Sequence, residues 1–244
     1  MKSLSLLLCL CGGMLGASAA LADEGKHLFI LSGQSNMARL DINQTFVPAV
    51  ERKYGADGVI VVKLAEGGQP IRRWLRSWVS ASGERAKDSG DLYVKLLEEV
   101  NQAVHGQPLS SVSFIWMQGE KDAFTQQSAV YKQSLQNLLA QVQQDLGRED
   151  VNLVLGRLSD AGIKTDLKSR QQSKPDWVAI RNIQMQFADE YPRGAWVDTD
   201  DLNTGLNDRG EQVVDDIHMT IAGYQLLGQR FADAAIGLIE SKHP

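Results

Sequence analysis

Short apolar runs that alternate with longer amphipathic segments constrain the fold of this chain more than any other feature. Residues 28–32 and 59–65 are almost continuously apolar, and glycine follows each run closely. Three similar runs follow at residues 112–117, 151–155 and 195–198. Such runs, without alternation of polar and apolar residues, are typical of strands buried on both faces of a parallel sheet. The sequence therefore predicts five parallel strands.

Helix-length segments connect these runs. Their apolar side chains recur at steps of three and four residues, which is the pattern of a helix with one buried face. The segments span residues 92–104, 130–146, 180–191 and 221–238. Because alternating strands and helices form a parallel sheet covered on both faces, we expect an α/β fold with three layers, α/β/α. Ligands of such sheets bind beyond the carboxyl ends of the strands.

The first 22 residues predict a secretory signal peptide. They contain one early Lys, an apolar core too short to span a membrane, and small residues up to Ala22. Both cysteines, Cys9 and Cys11, lie in this segment, so we expect no disulfide and no thiolate ligand in the mature chain. Residues 23–244 predict one domain without a membrane anchor, secreted or periplasmic after cleavage near Ala22.

Charge and motif content narrow the function classes. The chain has 25 basic and 30 acidic residues, with a formal net charge of −5. This balance disfavours nucleic acid as a partner. Because no phosphate loop and no zinc-ligand pattern occurs, we also expect no metal and no organic cofactor. The sequence gives no indication of the oligomeric state.

Polar clusters follow the predicted strands at the points where they end. They are Gly33-Gln34-Ser35-Asn36-Met37, Gly67-Gly68-Gln69-Pro70 and Gln118-Gly119-Glu120, and Asp215-Asp216-Ile217-His218 precedes the last helix. The carboxyl ends of parallel strands share one edge of the sheet, so we expect these clusters to meet there. The polar segments 77–90 and 161–175 predict loops that border the same edge.

Ser35 and His218 are the candidates for a nucleophile and its general base. A serine hydroxyl attacks efficiently only when a base takes its proton. The alternative is that both residues merely cap helices. Asp215, three residues before His218, is the first candidate to orient the imidazole, with Asp216 and Asp198 as alternatives. The other histidines, His27, His105 and His243, lie where no base is needed.

The same clusters resemble a known family. LFILSGQSNMAR is similar to the first signature block of the sialate O-acetylesterase and acetylxylan esterase branch of the SGNH hydrolases, a branch like carbohydrate esterase family 6. LAEGGQPIRRW resembles the second block, IWMQGEKDA the third and DDIHMTIAGYQLLG the fifth, in family order over residues 28–228. The resemblance implies a flavodoxin-like SGNH fold and hydrolysis of acetyl esters on carbohydrates.

The resemblance also implies an oxyanion hole. Its donors would be the N–H groups of Ser35 and Gly68 and the side-chain amide of Gln118, where the wider superfamily has Asn. Glycines 67 and 68 are equally consistent with a plain tight turn.

Four further residues are weaker candidates for a supporting or substrate-binding role. Asn36 is expected to brace the nucleophile loop. Glu120 either supports the site or pairs with one of Arg39, Arg72 and Arg73. Arg73 is also a substrate-binding candidate, and Trp74 or Trp78 either stacks on a sugar or belongs to the core or rim.

Two other functions compete with a carbohydrate acetylesterase. One is a lipolytic or thioesterase SGNH hydrolase. This function is disfavoured by Gln34, where the lipolytic branch has Asp, and by Gln118, where it has Asn. The other is a carbohydrate-binding protein on a weakly active scaffold, which retention of Ser35 and His218 disfavours. If the protein is a carbohydrate acetylesterase, the sequence is compatible with xylan, sialic acid and other glycans as substrates.

Overall fold

A computed structural model describes residues 25–164 and 173–241. The predicted signal peptide, His243 and residues 165–172 of the second predicted loop lie outside the described residues. None of the helices in these two ranges is long and apolar enough to cross a membrane.

Five parallel strands form the central sheet, as predicted. They are β1 (Lys26–Gly33), β2 (Val59–Ala65), β3 (Leu109–Met117), β4 (Asn152–Gly156) and β5 (Gly194–Val197), in the order β2-β1-β3-β4-β5. This is the flavodoxin-like order, in which the chain crosses over at the β1/β3 position. β1 is therefore an interior strand between β2 and β3, and the residues that follow it lie at the switch point where such folds bind ligands.

Helices cover both faces of the sheet. The longer ones are α2 (Phe46–Tyr54), α3 (Asp91–Val104), α5 (Ser128–Leu146), α7 (Lys174–Glu190) and α8 (Ile221–Glu240). Buried side chains of α3, α5 and α7 form one core with one face of the sheet, and those of α2 and α8 form a second core on the other face. The three-layer α/β/α prediction is confirmed.

Short elements next to the sheet were not expected from the hydrophobic pattern, and all of them except the turn at Ala56–Gly58, which precedes β2, follow the carboxyl ends of the strands. They are α1 (Ser35–Arg39), α4 (Glu120–Phe124), α6 (Ala161–Lys164), two 3₁₀ turns at Ala56–Gly58 and Ile71–Trp74, and an antiparallel hairpin of β6 (Gly205–Leu206) and β7 (Gln212–Val213). They are too short to show a period of their own. Several of them carry the polar clusters.

Gly33 shows why the chain turns where β1 ends. Its φ is +143°, and a Cβ added there would lie 2.0 Å from the carbonyl oxygen of Met117 on β3. Only glycine fits such a close approach between neighbouring strands. The chain therefore leaves the sheet at Gln34 and enters α1 at Ser35.

Candidate active site

Ser35 is the first residue of α1 and lies directly beyond β1. It is half-buried, and Gly67 of the segment after β2 lies against it: a Cβ built on Gly67 would be 3.7 Å from the Ser35 Cβ. Lys63 of β2 holds the other end of α1, since its Nζ donates to the carbonyl oxygens of Ala38 (3.0 Å) and Leu40 (2.5 Å). The short helix is thus held at both ends.

Ser35 and His218 line the same cavity, as the sequence predicted. The cavity has a volume of about 390 Å³. Its walls come from α1, from the turn after β2, from α4 and from the segment before α8, and consist of Gln34, Ser35, Ala38, Arg39, Gly67, Gly68, Lys121, Phe124, Ile217 and His218. Three of the four predicted polar clusters therefore meet at this cavity.

Two backbone N–H groups are available to an oxyanion at this cavity. Ser35 occupies the first turn of α1, where N–H groups have no acceptor within the helix. Gly68 adopts a φ of +72°, a conformation that L-residues with side chains avoid. Across the described ranges, neither N–H donates to an oxygen of another residue.

His218 lies in an irregular segment before α8, with two neighbouring carboxylates. Asp216 accepts the backbone N–H of His218 at 2.9 Å, and its Oδ1 lies 4.0 Å from His218 Nδ1. Asp215, which has a left-handed φ of +49°, pairs instead with Lys164, at 3.3 Å between Oδ1 and Nζ. Asp216 thus lies near the imidazole ring, whereas the carboxylate of Asp215 is paired with Lys164.

Asp198, the third candidate to orient His218, is committed elsewhere. It follows β5 and forms an ion pair with Arg157, which also pairs with Asp200 at 2.7 Å. Asp198 Oδ1 additionally accepts the backbone N–H of Asp200 at 3.1 Å. These contacts brace the ends of β4 and β5, so the structure does not support Asp198 as an orienting acid.

Asn36 connects the nucleophile helix to the histidine segment. Its Nδ2 donates to Glu120 Oε1 at 2.8 Å and to the carbonyl oxygen of Ile217 at 3.1 Å, and its Oδ1 accepts the Tyr224 hydroxyl at 2.9 Å. One buried amide therefore joins α1, α4, α8 and the residue before His218. The structure supports the expected bracing role, which tertiary contacts extend well beyond its own loop.

Glu120 is a buried partner of Asn36 and pairs with none of the three arginines considered. It is 2% exposed, and its Oε2 has no partner within the described residues. Arg39 pairs with Asp208, Arg72 with Asp88, and Arg73 with Asp91 and Glu66. Burial raises the pKa of Glu120 to about 7. The nearby Asp122 is also buried, and its pKa rises to about 6 for the same reason.

The raised pKa of Glu120 predicts a loss of stability with rising pH. The folded state binds a proton more tightly than the unfolded chain between pH 4.5 and about 7, so the free energy of unfolding falls through that window. Asp122, whose pKa burial also raises, adds to the same decline. We expect Glu120→Gln, which keeps an acceptor for Asn36, to flatten this decline in urea unfolding.

A matched control for this measurement is Glu98→Gln on the exposed side of α3, which should keep the wild-type slope. Equal slopes for wild type and Glu120→Gln would show that Glu120 does not titrate in this range.

Gln118 requires a correction. Its side chain is fully buried, and its Nε2 donates to Asp122 Oδ2 (2.6 Å) and the Gln69 carbonyl (3.1 Å), with Gln34 Oε1 at 3.3 Å. Its Oε1 accepts the Tyr131 hydroxyl at 3.1 Å. The hydrogen-bonding groups of this amide are therefore already used, and Gln118 does not line the cavity. The structure thus gives Gln118 a structural role, in which it supports the loop after β2, in place of the predicted role as an oxyanion donor.

The position of Gln118 predicts a stability defect for Gln118→Ala. The change leaves the buried carboxylate of Asp122 and the Tyr131 hydroxyl short of partners, which costs roughly 3 kcal/mol of unfolding free energy. Urea unfolding measures it, with the exposed Gln102→Ala on α3 as control. A hundredfold loss of kcat at unchanged stability would instead restore an oxyanion role.

Two other weak candidates also have structural roles. Trp74 is fully buried, donates its indole N–H to Ser32 Oγ at 2.8 Å and packs edge-on against Trp116 at 5.1 Å, so stacking of a sugar on Trp74 is wrong. Arg73 is committed to Asp91 and to Gln69 Oε1 at 2.8 Å. It therefore supports the turn that carries Gly68 and does not line the cavity.

Sequence reasoning did not assign a cavity position to the side chains of Arg39, Lys121 and Phe124, and it included Ile217 only as a neighbour of His218. Arg39 and Lys121 supply cations, and Phe124 and Ile217 supply apolar surface. Arg39 could have been found from its spacing, because it lies four residues after Ser35 and so shares a helix face with it. Lys121 and Phe124 lie on α4, which has five residues and is too short to show a helical period in the sequence.

A three-layer α/β/α fold that carries a serine beyond β1 and a histidine in the same cavity is the arrangement expected of a serine hydrolase. Residues 39–237 match the family described as carbohydrate esterase, sialic acid-specific acetylesterase. The chain belongs to this family, and its reaction class is the hydrolysis of carboxylic esters. The matched range begins just after Ser35. No curated protein matches the chain in sequence.

Solved structures show the same fold at low sequence identity. A protein from Arabidopsis thaliana is 17% identical with a TM-score of 0.62, over 87% of this chain and 98% of that one. A carbohydrate acetylesterase from Xanthomonas citri is 16% identical with a TM-score of 0.56, over 87% and 56%. NanS is 14% identical with a TM-score of 0.56, over 87% and 98%.

Proposed function

We propose that this protein is a secreted serine esterase that removes acetyl groups from O-acetylated carbohydrates through an acyl-Ser35 intermediate. The observation that carries the proposal is that Ser35 and His218 line one cavity together with the N–H donors of the Gly67-Gly68 turn. Membership of the acetylesterase family supports acetyl as the acyl group that is removed. The predicted signal peptide supports export.

The reaction follows from these positions. Ser35 Oγ attacks the ester carbonyl while the imidazole of His218 takes its proton. The N–H groups of Ser35 and Gly68 stabilise the negative charge that develops on the carbonyl oxygen. The bond to the sugar oxygen then breaks, and His218 returns the proton to that oxygen. Water, deprotonated by His218, attacks the acyl-serine, and acetate and free Ser35 result.

The cations of the cavity favour a sugar that carries a negative charge. Arg39 and Lys121 line the cavity, whose described wall residues include no aspartate or glutamate. Arg39 pairs with Asp208 outside the wall at 3.0 Å, so Lys121 is the wall cation that forms no ion pair with another described residue. A guanidinium and an ammonium group both attract a carboxylate. This preference agrees with the sialic acid in the family description, and it opposes a lipolytic or thioesterase function because a long acyl chain gains nothing from these charges.

Acetate release from O-acetylated xylan, galacturonan and N-acetylneuraminic acid tests the reaction and the sugar together. We expect release from an acidic sugar to be fastest. We expect Lys121→Gln to raise KM for that substrate about tenfold and to change p-nitrophenyl acetate hydrolysis much less. The exposed Lys95→Gln on α3 is the control.

Two outcomes would count against the proposal. Fastest release from neutral xylan, unaffected by Lys121→Gln, would reject the acidic sugar while leaving the esterase intact. Absence of hydrolysis of every ester, p-nitrophenyl acetate included, would favour the carbohydrate-binding alternative.

A further inference from the structure

A second groove lies at the edge of the sheet that carries Ser35. It has a volume of about 210 Å³ and is lined by Arg72, Trp78, Ser80, Glu84, Arg85, Ala86, Thr125 and Gln127. Its walls come from the segments that follow β2 and β3. These strands are the two neighbours of β1. The groove and the catalytic cavity therefore open at the same edge.

The two sites share a wall element. Phe124, the last residue of α4, lines the catalytic cavity, and the next residue, Thr125, lines the groove. The two sites are therefore bordered by consecutive residues of one segment. This adjacency is the first reason to treat the groove as an extension of the substrate site.

The loop that forms the outer wall is an ordered structure. Val79 and Arg85 form an antiparallel bridge, and Ser80 N donates to the Glu84 carbonyl at 2.8 Å. Gln127 Oε1 accepts the N–H of Ala81 at 3.0 Å, which ties the loop to the α4–α5 connection. The groove thus has two walls joined by hydrogen bonds, and it does not depend on closure of a loop.

The groove offers the kinds of group that a sugar ring requires. The half-buried Trp78 donates its indole N–H to Ser134 Oγ at 3.2 Å, and the Arg72 guanidinium lies over its ring at 5.9 Å from the centroid, so the ring offers a sugar the aromatic surface that Arg72 leaves uncovered. The exposed Arg85 supplies only donors and the exposed Glu84 only acceptors, and neither side chain pairs with another described residue. Sugar hydroxyls both donate and accept, so adjacent hydroxyls can satisfy both at once.

We propose that this groove is a subsite for a sugar residue of a glycan chain other than the residue that carries the ester. The enzyme then acts on oligomeric substrates in preference to single sugars. The preference for oligomeric substrates rests on the proposed esterase function. Binding of a glycan in the groove is independent of that function.

Three variants of one loop test the subsite by kinetics. The substrates are O-acetylated xylose, galacturonic acid and N-acetylneuraminic acid, each offered as monomer and as oligomer, with p-nitrophenyl acetate as reference. For the sugar with the fastest release, we expect Arg85→Gln and Glu84→Gln each to lower the ratio of oligomer to p-nitrophenyl acetate kcat/KM about fivefold to tenfold. The exposed Lys87→Gln, which does not line the groove, should keep the wild-type ratio.

Binding provides a measurement independent of catalysis. We expect the unesterified oligomer of at least one of the three sugars to change tryptophan fluorescence on binding, and Arg85→Gln to weaken that binding to the same extent as it lowers the kinetic ratio. Equal ratios for all three variants and wild type, or equal binding by Arg85→Gln and Lys87→Gln, would overturn the subsite. Absence of ester hydrolysis with preserved, Arg85-dependent binding would reject only the esterase.

Discussion

Ser35→Ala is expected to lower kcat/KM for p-nitrophenyl acetate by roughly 10⁴-fold or more, because the change removes the atom that forms the acyl intermediate. The fold should persist, since the described contacts that hold α1 come from Asn36, Lys63 and Gly67 and do not use the Ser35 hydroxyl. Steady-state kinetics measure the loss, and thermal unfolding checks the fold.

The exposed Ser77→Ala is a matched control and should retain wild-type activity. A serine-directed organophosphonate should label Ser35 alone, as judged by peptide mass spectrometry. Substantial esterase activity in Ser35→Ala, with contaminating esterases excluded, would rule out the serine mechanism, and labelling elsewhere would move the nucleophile to the labelled residue.

His218→Gln is expected to lower kcat by roughly 10³-fold or more, because the amide cannot take the proton of Ser35 during attack. The backbone N–H that Asp216 accepts is retained, so the segment should keep its conformation. The control is His105→Asn at the residue that follows α3, whose left-handed conformation Asn tolerates. If His218→Gln kept wild-type kcat, another base would have to be sought.

Variants of Asp215 and Asp216 distinguish which of the two carboxylates orients the imidazole of His218. The acid that the sequence favours is Asp215, whose half-exposed pair with Lys164 contributes little to stability. At 4.0 Å, Asp216 Oδ1 is too far from Nδ1 for a hydrogen bond, and this oxygen already accepts a backbone N–H. Asp215→Asn should therefore reduce kcat more than Asp216→Asn, and the reverse order would assign the role to Asp216.

The agreement between sequence and structure is greatest where a residue's neighbours in the chain decide its environment. Buried strands need continuous apolar runs, and helices with one buried face need a period near 3.6 residues. Both patterns are visible in the chain, so five strands and the longer covering helices could be predicted. Ser35 and His218 could be placed at one edge because parallel strands all end on the same side.

The roles of Gln118, Trp74 and Arg73 could not be predicted in this way. Their types and positions beside the motifs are compatible with a catalytic or substrate contact as well as with a support. The choice depends on partners far along the chain, such as Tyr131 for Gln118, Ser32 for Trp74 and Asp91 for Arg73. Hydrogen bonds of this kind leave no periodic trace in the sequence.

The sequence by itself therefore determined the fold class, the edge of the sheet that carries the site, and the pair Ser35 and His218 as its candidates. Only the tertiary structure decided which neighbours reach the cavity. It buried Gln118 with Asp122, joined Asn36 to the carbonyl before His218, and brought Arg39 and Lys121 to the wall. The physical reason is that a periodic pattern records burial along one element, whereas the partner of a polar side chain depends on how separate elements pack.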